Sequence, residues 1–207
     1  VEPTSVVDEF GADPVRYYLL REISWGQDGD WGREKFILRN NADLANNFGN
    51  LAQRSLSMIA KNFGCEMPLR QDGSAVDAKL IAETIAAISR MEEAMVTEQI
   101  HEAAAELIGA LSNANLYFAD QAPWGLKSDL ARMGAVLATT ADVLRRCAIA
   151  ALPFVPASAA KILDLLAVSA DQRLLQHALD PDLIVAAGTP LPAPEPVFRK
   201  FETAKAN

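Results

Sequence analysis

The side chains best suited to bind a charged or planar ligand lie along one stretch of the chain, residues 33–63. Asn46, Asn50 and Arg54 are spaced four residues apart, which places all three on one face if this stretch is helical. Lys61 lies seven residues further on, near the same line. Amides can pair with base edges, and a planar guanidinium can stack on a base or bind a phosphate. Spacing alone favours a solvated polar helix face. A nucleic-acid surface is the more specific alternative.

A second candidate segment runs from Asn115 to Trp124 and ends in Ala122-Pro123-Trp124. A tryptophan held behind a proline at the end of a helix presents a flat face near the surface. Unpaired bases stack well on such faces, and each stacked base contributes ~1–3 kcal/mol. A lone tryptophan is more often a packing residue, so this segment by itself favours packing.

The sequence contains no recognisable catalytic or metal-binding set. It lacks a phosphate-binding glycine loop, a paired-histidine motif and a nucleophile elbow. The two histidines, His101 and His177, are 76 residues apart, and neither has metal-ligand spacing to Cys65 or Cys147. We expect both cysteines to be reduced packing residues and His101 to be a surface or groove residue. The sequence therefore predicts no catalytic residue, no metal site and no cofactor in this chain.

Composition and charge bound the class of protein. Half of the 207 residues are apolar and 22% are charged, as in a soluble globular protein with a sizeable core. No apolar run reaches the ~20 residues of a membrane span, and no secretory signal is recognisable, so we expect a cytoplasmic protein without a membrane partner. The net charge of −8 argues against a strongly basic nucleic-acid binder. However, residues 44–65 contain no acid where about three would be expected, which suits the approach of phosphates.

Hydrophobic periodicity and turn residues predict a chain that is nearly all helix. Gly64 is expected to end a long helix as a left-handed cap. Gly49 inside that helix costs roughly 1 kcal/mol against Ala, which a close approach of another backbone or a ligand would explain. The predicted helices cover residues 3–10, 13–23 (capped by Asp13), 33–63, 157–167 and 170–178, with three amphipathic helices running from Val76 to Met95, Ile100 to Phe118 and Leu130 to Ala151.

Together these helices predict an all-α, up-and-down helical bundle of four or five helices with short connections. Residues 24–32 contain three glycines and two aspartates and are expected to form a loop. Residues 189–196 contain four prolines and are expected to be extended. A helical bundle by itself indicates no function, because bundles serve many.

Three motifs, in this order, resemble the methionyl-tRNA synthetases, a family of class I aminoacyl-tRNA synthetases. The segments Gly11–Glu22 and Gly26–Trp31 are similar to the stretch that follows that family's catalytic lysine-containing loop. Asn41–Arg54 resembles the start of its anticodon-binding helix, and Ala122–Trp124 resembles its anticodon-stacking tryptophan motif. The similarity covers about residues 1–202, which is nearly the whole chain.

The resemblance implies that the chain grips the tRNA anticodon for an enzyme that joins methionine to its tRNA using ATP. It assigns Asn50 and Arg54 to contacts with anticodon bases and Trp124 to stacking of the first anticodon base. Asn46 and Lys61, one turn before and two turns after that pair, are further candidate anticodon-binding residues. The implied partners are initiator and elongator methionine tRNAs and the protein's own catalytic domain, which binds ATP and would lie outside this chain.

The resemblance also implies an organisation into a connecting module (residues 1–32) near the inner corner of the tRNA, an anticodon-binding bundle (33–188) and an extended C-terminal tail (189–207). The two ATP-handling signatures of class I synthetases and the family's zinc-bearing insertion are missing from the sequence. We therefore expect this chain alone to be inactive, and Val1 in place of Met indicates a fragment or a processed chain. No RNA-binding dimerisation domain follows, so a monomer is expected. The tail segment Val197–Glu202 lacks the internal proline of the family's terminal segment, which leaves its packing open.

Two alternatives stay open at this point. One is a bundle from a sister class I synthetase for leucine, valine, isoleucine or cysteine, although Asn50 and Arg54 followed by Pro123-Trp124 argue against it. The other is a helical scaffold that binds protein partners and no RNA, which suits the acidic net charge but not the acid-free stretch. Convergence of Asn50, Arg54 and Trp124 on one exposed patch would favour RNA.

Overall fold

The computed structural model describes residues 2–23, 29, 31–71 and 74–202 of the chain. Within these residues the fold is helical, and extended pairing is limited to one bridge between Glu66 and Pro190, so the all-α prediction is confirmed. The α-helices are α1 (Pro3–Phe10), α2 (Ala12–Glu22), α3 (Arg33–Asn40), α4 (Asn50–Phe63), α5 (Ala75–Val96), α6 (Ile100–Gln121), α7 (Leu130–Ala151), α8 (Pro156–Leu165) and α9 (Leu175–Leu179). None of the helices in the described ranges combines the length and apolarity that crossing a membrane requires. Most of the loop predicted for residues 24–32 lies outside the described residues.

The two N-terminal helices meet at a glycine. Pro3 occupies the first turn of α1 as predicted, and Gly11 follows its end with a φ of 91°. α2 begins at Ala12, so the predicted cap Asp13 lies inside the first turn. The Asp13 carboxylate instead accepts a hydrogen bond from the backbone N–H of Ser158, in the first turn of α8, at 2.6 Å. A negative charge suits a helix N-terminus, so Asp13 ties α2 to the bundle.

The long helix predicted for residues 33–63 is continuous, but its middle is wound differently. α3 passes into a π-helical segment, Asn41–Gly49, and this segment passes directly into α4. Gly64 ends α4 in the left-handed conformation with a φ of 62°, as predicted. The close approach expected at Gly49 comes from two groups, since a Cβ there would lie 3.2 Å from both the Phe198 ring and the Leu44 carbonyl oxygen. Glycine at this position therefore makes room for the C-terminal tail.

α7 is the central helix and packs against α4, α5, α6, α8 and α9. The sequence predicts a single apolar stripe along it, yet every residue from Met133 to Ala151 is buried. Leu130, the first residue of the predicted stripe, is exposed. The prediction underestimates burial because small side chains on every face of α7 let neighbouring helices approach from all sides.

Three charged residues of α7 lie inside the bundle. The Asp142 carboxylate accepts hydrogen bonds from the Nε atoms of Arg145 and Arg146, each at 3.1 Å. Further guanidinium donors bind the carbonyl oxygens of His177 at 2.9 Å and Ala178 at 2.7 Å, both in α9. Burial lowers the pKa of Arg145, and the neighbouring Asp142 carboxylate opposes that shift. This buried cluster fastens α9 to α7.

The last two predicted helices are shorter than expected. The chain enters the left-handed region at Ala167, with a φ of 54°, and α8 ends before it. The helix predicted for residues 170–178 is instead a 3-10 turn, Ala170–Gln172, followed by α9. Arg173 and Leu174 separate the two, and Arg173 Nε donates to the Val168 carbonyl at 3.1 Å. These contacts turn the chain back toward α8.

The tail is extended, as its prolines predict, and it crosses the molecule. Leu191 donates its backbone N–H to the Cys65 carbonyl at 2.7 Å, just beyond the end of α4. Phe201, at the other end, lies 5.0 Å from Phe10 and 6.1 Å from Phe36 between ring centroids. The tail thus packs on the N-terminal helices although Val197–Glu202 lacks the internal proline of the family's terminal segment. The small hydrophobic cluster there, separate from the main core, contains Val6, Phe10, Tyr18, Phe36, Ile37 and Phe201.

Candidate nucleic-acid interface

Arg54 lies over two aromatic rings contributed by the end of α6 and the turn after it. Its guanidinium carbon is 5.0 Å from the centroid of the Phe118 ring and 5.4 Å from that of Trp124. The two rings are 5.9 Å apart and tilted by 59°. Arg54 is exposed, Trp124 is 47% exposed and Phe118 is buried beneath them. We call this group of three residues the platform, because it offers a cation and a flat indole on one surface.

The turn after α6 sets the direction of Trp124. Ala122 ends α6 with φ 40° and ψ 57°, a left-handed conformation that L-residues rarely adopt. Pro123 is buried and opens a single 3-10 turn, Pro123–Gly125. The Gly125 N–H closes this turn on the Ala122 carbonyl at 2.8 Å. Such backbone strain persists only where the surroundings hold it, so the indole is fixed in place rather than loosely tethered.

A hydrogen-bonded network supports this turn from below. Arg132 of α7 donates to the Gln121 side chain at 2.6 Å and to the Asp77 carboxylate at 2.5 Å. The Tyr117 hydroxyl donates to Asp77 at 2.7 Å. Burial disfavours charge on Asp77, but hydrogen bonds from Arg132, Tyr117 and Ser74 outweigh it and lower the pKa of the carboxyl. Burial raises the pKa of Tyr117, and the neighbouring Asp77 raises it further. The network joins α5, α6 and α7 at the base of the platform.

Asn50 begins α4 one turn before Arg54, and both side chains are exposed on the same α-helical face. Asn46 is also exposed, but it lies in the π-helical segment, whose hydrogen bonds close to the fifth residue rather than the fourth. Residues four apart lie on one side of the helix with either winding, but the wider turn displaces Asn46 around the axis in the opposite sense from an α-helical turn. Asn46 therefore stays on the side of Asn50, at a different angle from the one that regular α-helical spacing predicts.

The positive charges of this face are not neutralised locally. Lys61 is exposed in the last turn of α4, seven positions beyond Arg54. In the part of the chain that the structure describes, neither Arg54 nor Lys61 forms an ion pair with a carboxylate. The acid-free stretch, residues 44–65, includes the whole of α4. A phosphate would meet no fixed negative charge on this helix.

An amide pair that the sequence did not single out joins the π-helical segment to α6. Asn115 Nδ2 donates to Asn47 Oδ1 at 2.6 Å and to the Asn47 carbonyl at 3.1 Å. Asn47 Nδ2 in turn donates to the Ser112 hydroxyl at 2.9 Å. The available signal was an asparagine next to the apolar stripe of α6, where a polar side chain needs a partner across the interface. This brace holds the long helix beside the segment that ends in Trp124.

The other polar candidates of the sequence stay apart from the platform. Cys65 and Cys147 are unpaired thiols, and burial raises the pKa of Cys147 to about 12, as expected of a packing residue. His101 is half-buried on α6. Among the described residues no group of three histidine, cysteine or acidic side chains could hold a metal ion. What the geometry offers is a binding surface.

Two family models match this chain. The model of the anticodon binding domain of methionyl tRNA ligase matches residues 67–207, and the model of the class I tRNA synthetases (M) matches residues 1–56. Among curated relatives, the methionine–tRNA ligase of Mesorhizobium japonicum is 47% identical, over 97% of this chain and 39% of its own length.

Solved structures agree with these matches. The apo form of Mycobacterium tuberculosis methionyl-tRNA synthetase superposes with a TM-score of 0.92 at 38% identity, covering 98% of this chain and 41% of that chain. The same synthetase in complex with methionyl-adenylate superposes with a TM-score of 0.90 at 39% identity, covering 96% and 39%. The chain therefore spans about two-fifths of the length of the relatives that it matches.

Proposed function

The chain belongs to the methionyl-tRNA synthetase family, and from this premise we propose that it recognises the anticodon of methionine tRNA. The observation that supports the proposal most strongly is the platform. Arg54 and Trp124 are 70 residues apart in sequence, yet the guanidinium lies 5.4 Å from the indole on an exposed surface. A sister class I synthetase and a purely protein-binding scaffold are both disfavoured by the match to the anticodon binding domain of methionyl tRNA ligase.

In the proposed mode of binding, the anticodon loop opens and one base stacks on Trp124. Asn50 and Arg54 read neighbouring bases, because an amide and a guanidinium both match base edges. Asn46 and Lys61 flank these residues and take up further base or phosphate contacts. Recognition here is binding alone, since no step of bond making involves these side chains.

For the intact protein we propose the activity of its relatives, the attachment of methionine to tRNA with ATP. One relative is seen with methionyl-adenylate, and its chain extends well beyond the part that matches here. Binding energy from the anticodon would position the acceptor end in a catalytic domain outside this chain. We further propose that the protein is a cytoplasmic monomer, acts on both initiator and elongator tRNAs, and uses residues 1–32 as a connecting module.

The first test is a titration of the 207-residue chain against methionine anticodon stem-loops at one fixed salt concentration. Matched stem-loops that differ only in the first anticodon base are the control. We expect the methionine stem-loops, initiator and elongator alike, to bind more tightly than the altered ones. Equal affinity for all of them would overturn the proposal.

The second test concerns activity. We expect no methionine-dependent exchange of pyrophosphate into ATP by this chain, because nothing in it positions ATP for attack by the amino acid. Turnover that survives stringent purification and scales with the amount of the chain would contradict this expectation.

A further inference from the structure

The C-terminal tail runs antiparallel to the long helix, from the end of α4 to the start of the π-helical segment. Leu191 is hydrogen-bonded to the Cys65 carbonyl, beyond the end of α4, and Phe201 is hydrogen-bonded to Asn41, where the π-helical segment begins. The tail thus contacts both ends of the stretch from Asn41 to Cys65.

The second half of the tail contacts the π-helical segment. The Asn41 side chain donates to the Phe201 carbonyl at 2.7 Å and accepts from the Phe201 backbone N–H at 2.8 Å. The Phe198 ring lies 5.5 Å from the Phe48 ring and fills the space above Gly49. The Arg199 guanidinium donates to the Glu9 carbonyl at 2.7 Å and anchors the strand between these two contacts.

The π-helical segment ends where the proposed base-reading residues begin. The backbone N–H of Asn50 points to the carbonyls of Ala45 and Asn47, so its position depends on the wide turn before it. A π-helical turn is rare and is often found at functional sites, and it persists when tertiary contacts favour it over α-helix. Here those contacts come from three sides.

Two of these sides belong to the bundle and the N-terminal helices. The Tyr17 hydroxyl donates to the Asp43 carboxylate at 2.7 Å, and the amides of Asn47 and Asn115 pair across to α6. The third side is the tail, through Phe198 and the Asn41–Phe201 pairing. The tail is the one of the three that reaches the last residue of the segment, Gly49, next to Asn50.

We propose that Phe198 is a positioning residue for anticodon recognition, which holds the π-helical turn and so orients Asn46 and Asn50 relative to Arg54. This inference rests on the proposed function. It assigns to the tail an effect on selectivity among anticodons, where a tail that only covers apolar surface would affect stability alone.

The test compares Phe198→Ala with Leu191→Ala in the 207-residue chain. Both variants truncate an apolar side chain of the tail, but Leu191 lies at the Cys65 end, far from the segment. We expect Phe198→Ala to reduce the preference for the methionine anticodon over altered anticodons by about tenfold, and Leu191→Ala to leave it unchanged. Phe198→Leu should restore most of the preference, because it refills the space above Gly49. Asn41→Ala, which removes only the pairing to Phe201, should act in the same direction as Phe198→Ala.

Backbone amide exchange gives a readout that needs no RNA. We expect exchange at residues 46–50 to be faster in Phe198→Ala than in the wild type and in Leu191→Ala. If the wild type is selective and folded Phe198→Ala is equally selective, the inference is overturned while the proposed function stands. If the wild type itself shows no selectivity, the proposed function fails, and unchanged exchange at residues 46–50 would then also overturn the role of Phe198 in holding the turn.

Discussion

Arginines in two parts of the same bundle, a buried pair and a single exposed residue, use their guanidinium groups in opposite ways. Arg145 and Arg146 are buried on α7, and their donors bind Asp142 and backbone carbonyls of α9 and beyond, except that Arg146 Nη2 has no hydrogen-bond partner among the described residues. Arg54 is exposed on α4, has no ion-pair partner among the described residues, and lies over the aromatic rings of the platform. Their residue type is the same and their helical setting is similar.

The difference shows how a structural arginine can be told from a binding one. A buried guanidinium needs most of its hydrogen bonds made within the protein, because unmet donors there are costly. An exposed guanidinium over an aromatic ring is held in place by the ring yet keeps its donors directed to solvent. Such a group can meet a phosphate or a base without first breaking an internal contact.

Asp142→Ala tests the buried arginines, and we expect it to have the largest effect on stability of the variants considered. The substitution leaves two buried guanidinium groups without their carboxylate, and the free energy of unfolding should fall by ~3–5 kcal/mol. Urea unfolding measures it, with Asp164→Ala as control, because Asp164 is exposed and its pair with Arg173 should contribute only ~0–1 kcal/mol. Equal losses in the two variants would mean that burial does not distinguish these ion pairs.

Asp77→Asn tests the network beneath the platform. We expect a loss of ~1–3 kcal/mol in the free energy of unfolding at neutral pH, because Arg132 loses a charged partner. The folded protein lowers the pKa of Asp77, so the charged carboxylate stabilises above its unfolded pKa of about 4 and this contribution is lost as pH falls through the folded value. The difference between wild type and variant should therefore shrink below about pH 4. Urea unfolding across pH measures this, with the exposed Glu92→Gln of the same helix as control.

Trp124→Ala should separate binding from stability on the platform. We expect a loss of ~1–3 kcal/mol in binding of the methionine stem-loop, with little change in unfolding. Trp124→Phe should keep part of the binding, and Leu130→Ala, an equally exposed apolar truncation, should change neither quantity. A stability loss of ~3–5 kcal/mol with affinity preserved in the folded fraction would make Trp124 a packing residue.

The Arg54 variants should have the smallest effect on binding, and they distinguish a phosphate contact from a base contact. Arg54→Ala should weaken binding, and if Arg54 meets a phosphate the slope of log affinity against log salt should fall by about 0.7–0.9. Arg54→Lys keeps the charge and so should keep the salt slope. It removes the planar guanidinium from above the rings, so the binding free energy should weaken by ~0.5–1 kcal/mol. Identical slopes in all three proteins would exclude a phosphate at Arg54.

The sequence predicted the helices well where local chemistry decides them. Pro3 and Gly64 lie at helix ends as expected, because a fixed φ suits a first turn and a left-handed cap suits glycine. The end of α8, the break at Arg173 and the π-helical winding of Asn41–Gly49 were missed. The π-helical winding lies where Phe198, from far along the chain, packs on Gly49, and spacing along one helix does not contain such a contact. The end of α8 is closed locally, by the Val168 N–H on the Leu163 carbonyl, with an alanine in the left-handed position where a glycine would have signalled it.

What the sequence determined by itself was the inventory of the site. The types and order of Asn50, Arg54 and Pro123-Trp124 resemble the family's anticodon-binding motifs, and that resemblance predicts their roles. Spacing alone favoured a solvated helix face and a packing tryptophan. Helical spacing was also enough to place Asn50 and Arg54 on one face, because both lie in a regular α-helix.

The tertiary structure alone decided how those residues meet. It brought Arg54 over Phe118 and Trp124, braced Asn47 against Asn115, and buried Arg145 and Arg146 while leaving Arg54 open. Periodicity reports which side of a helix is apolar, but it does not say which helix lies at the centre or which polar side chain finds a partner across an interface. Those outcomes depend on how all the helices pack at once, and so does the difference between an arginine that holds the fold and one that is free to bind.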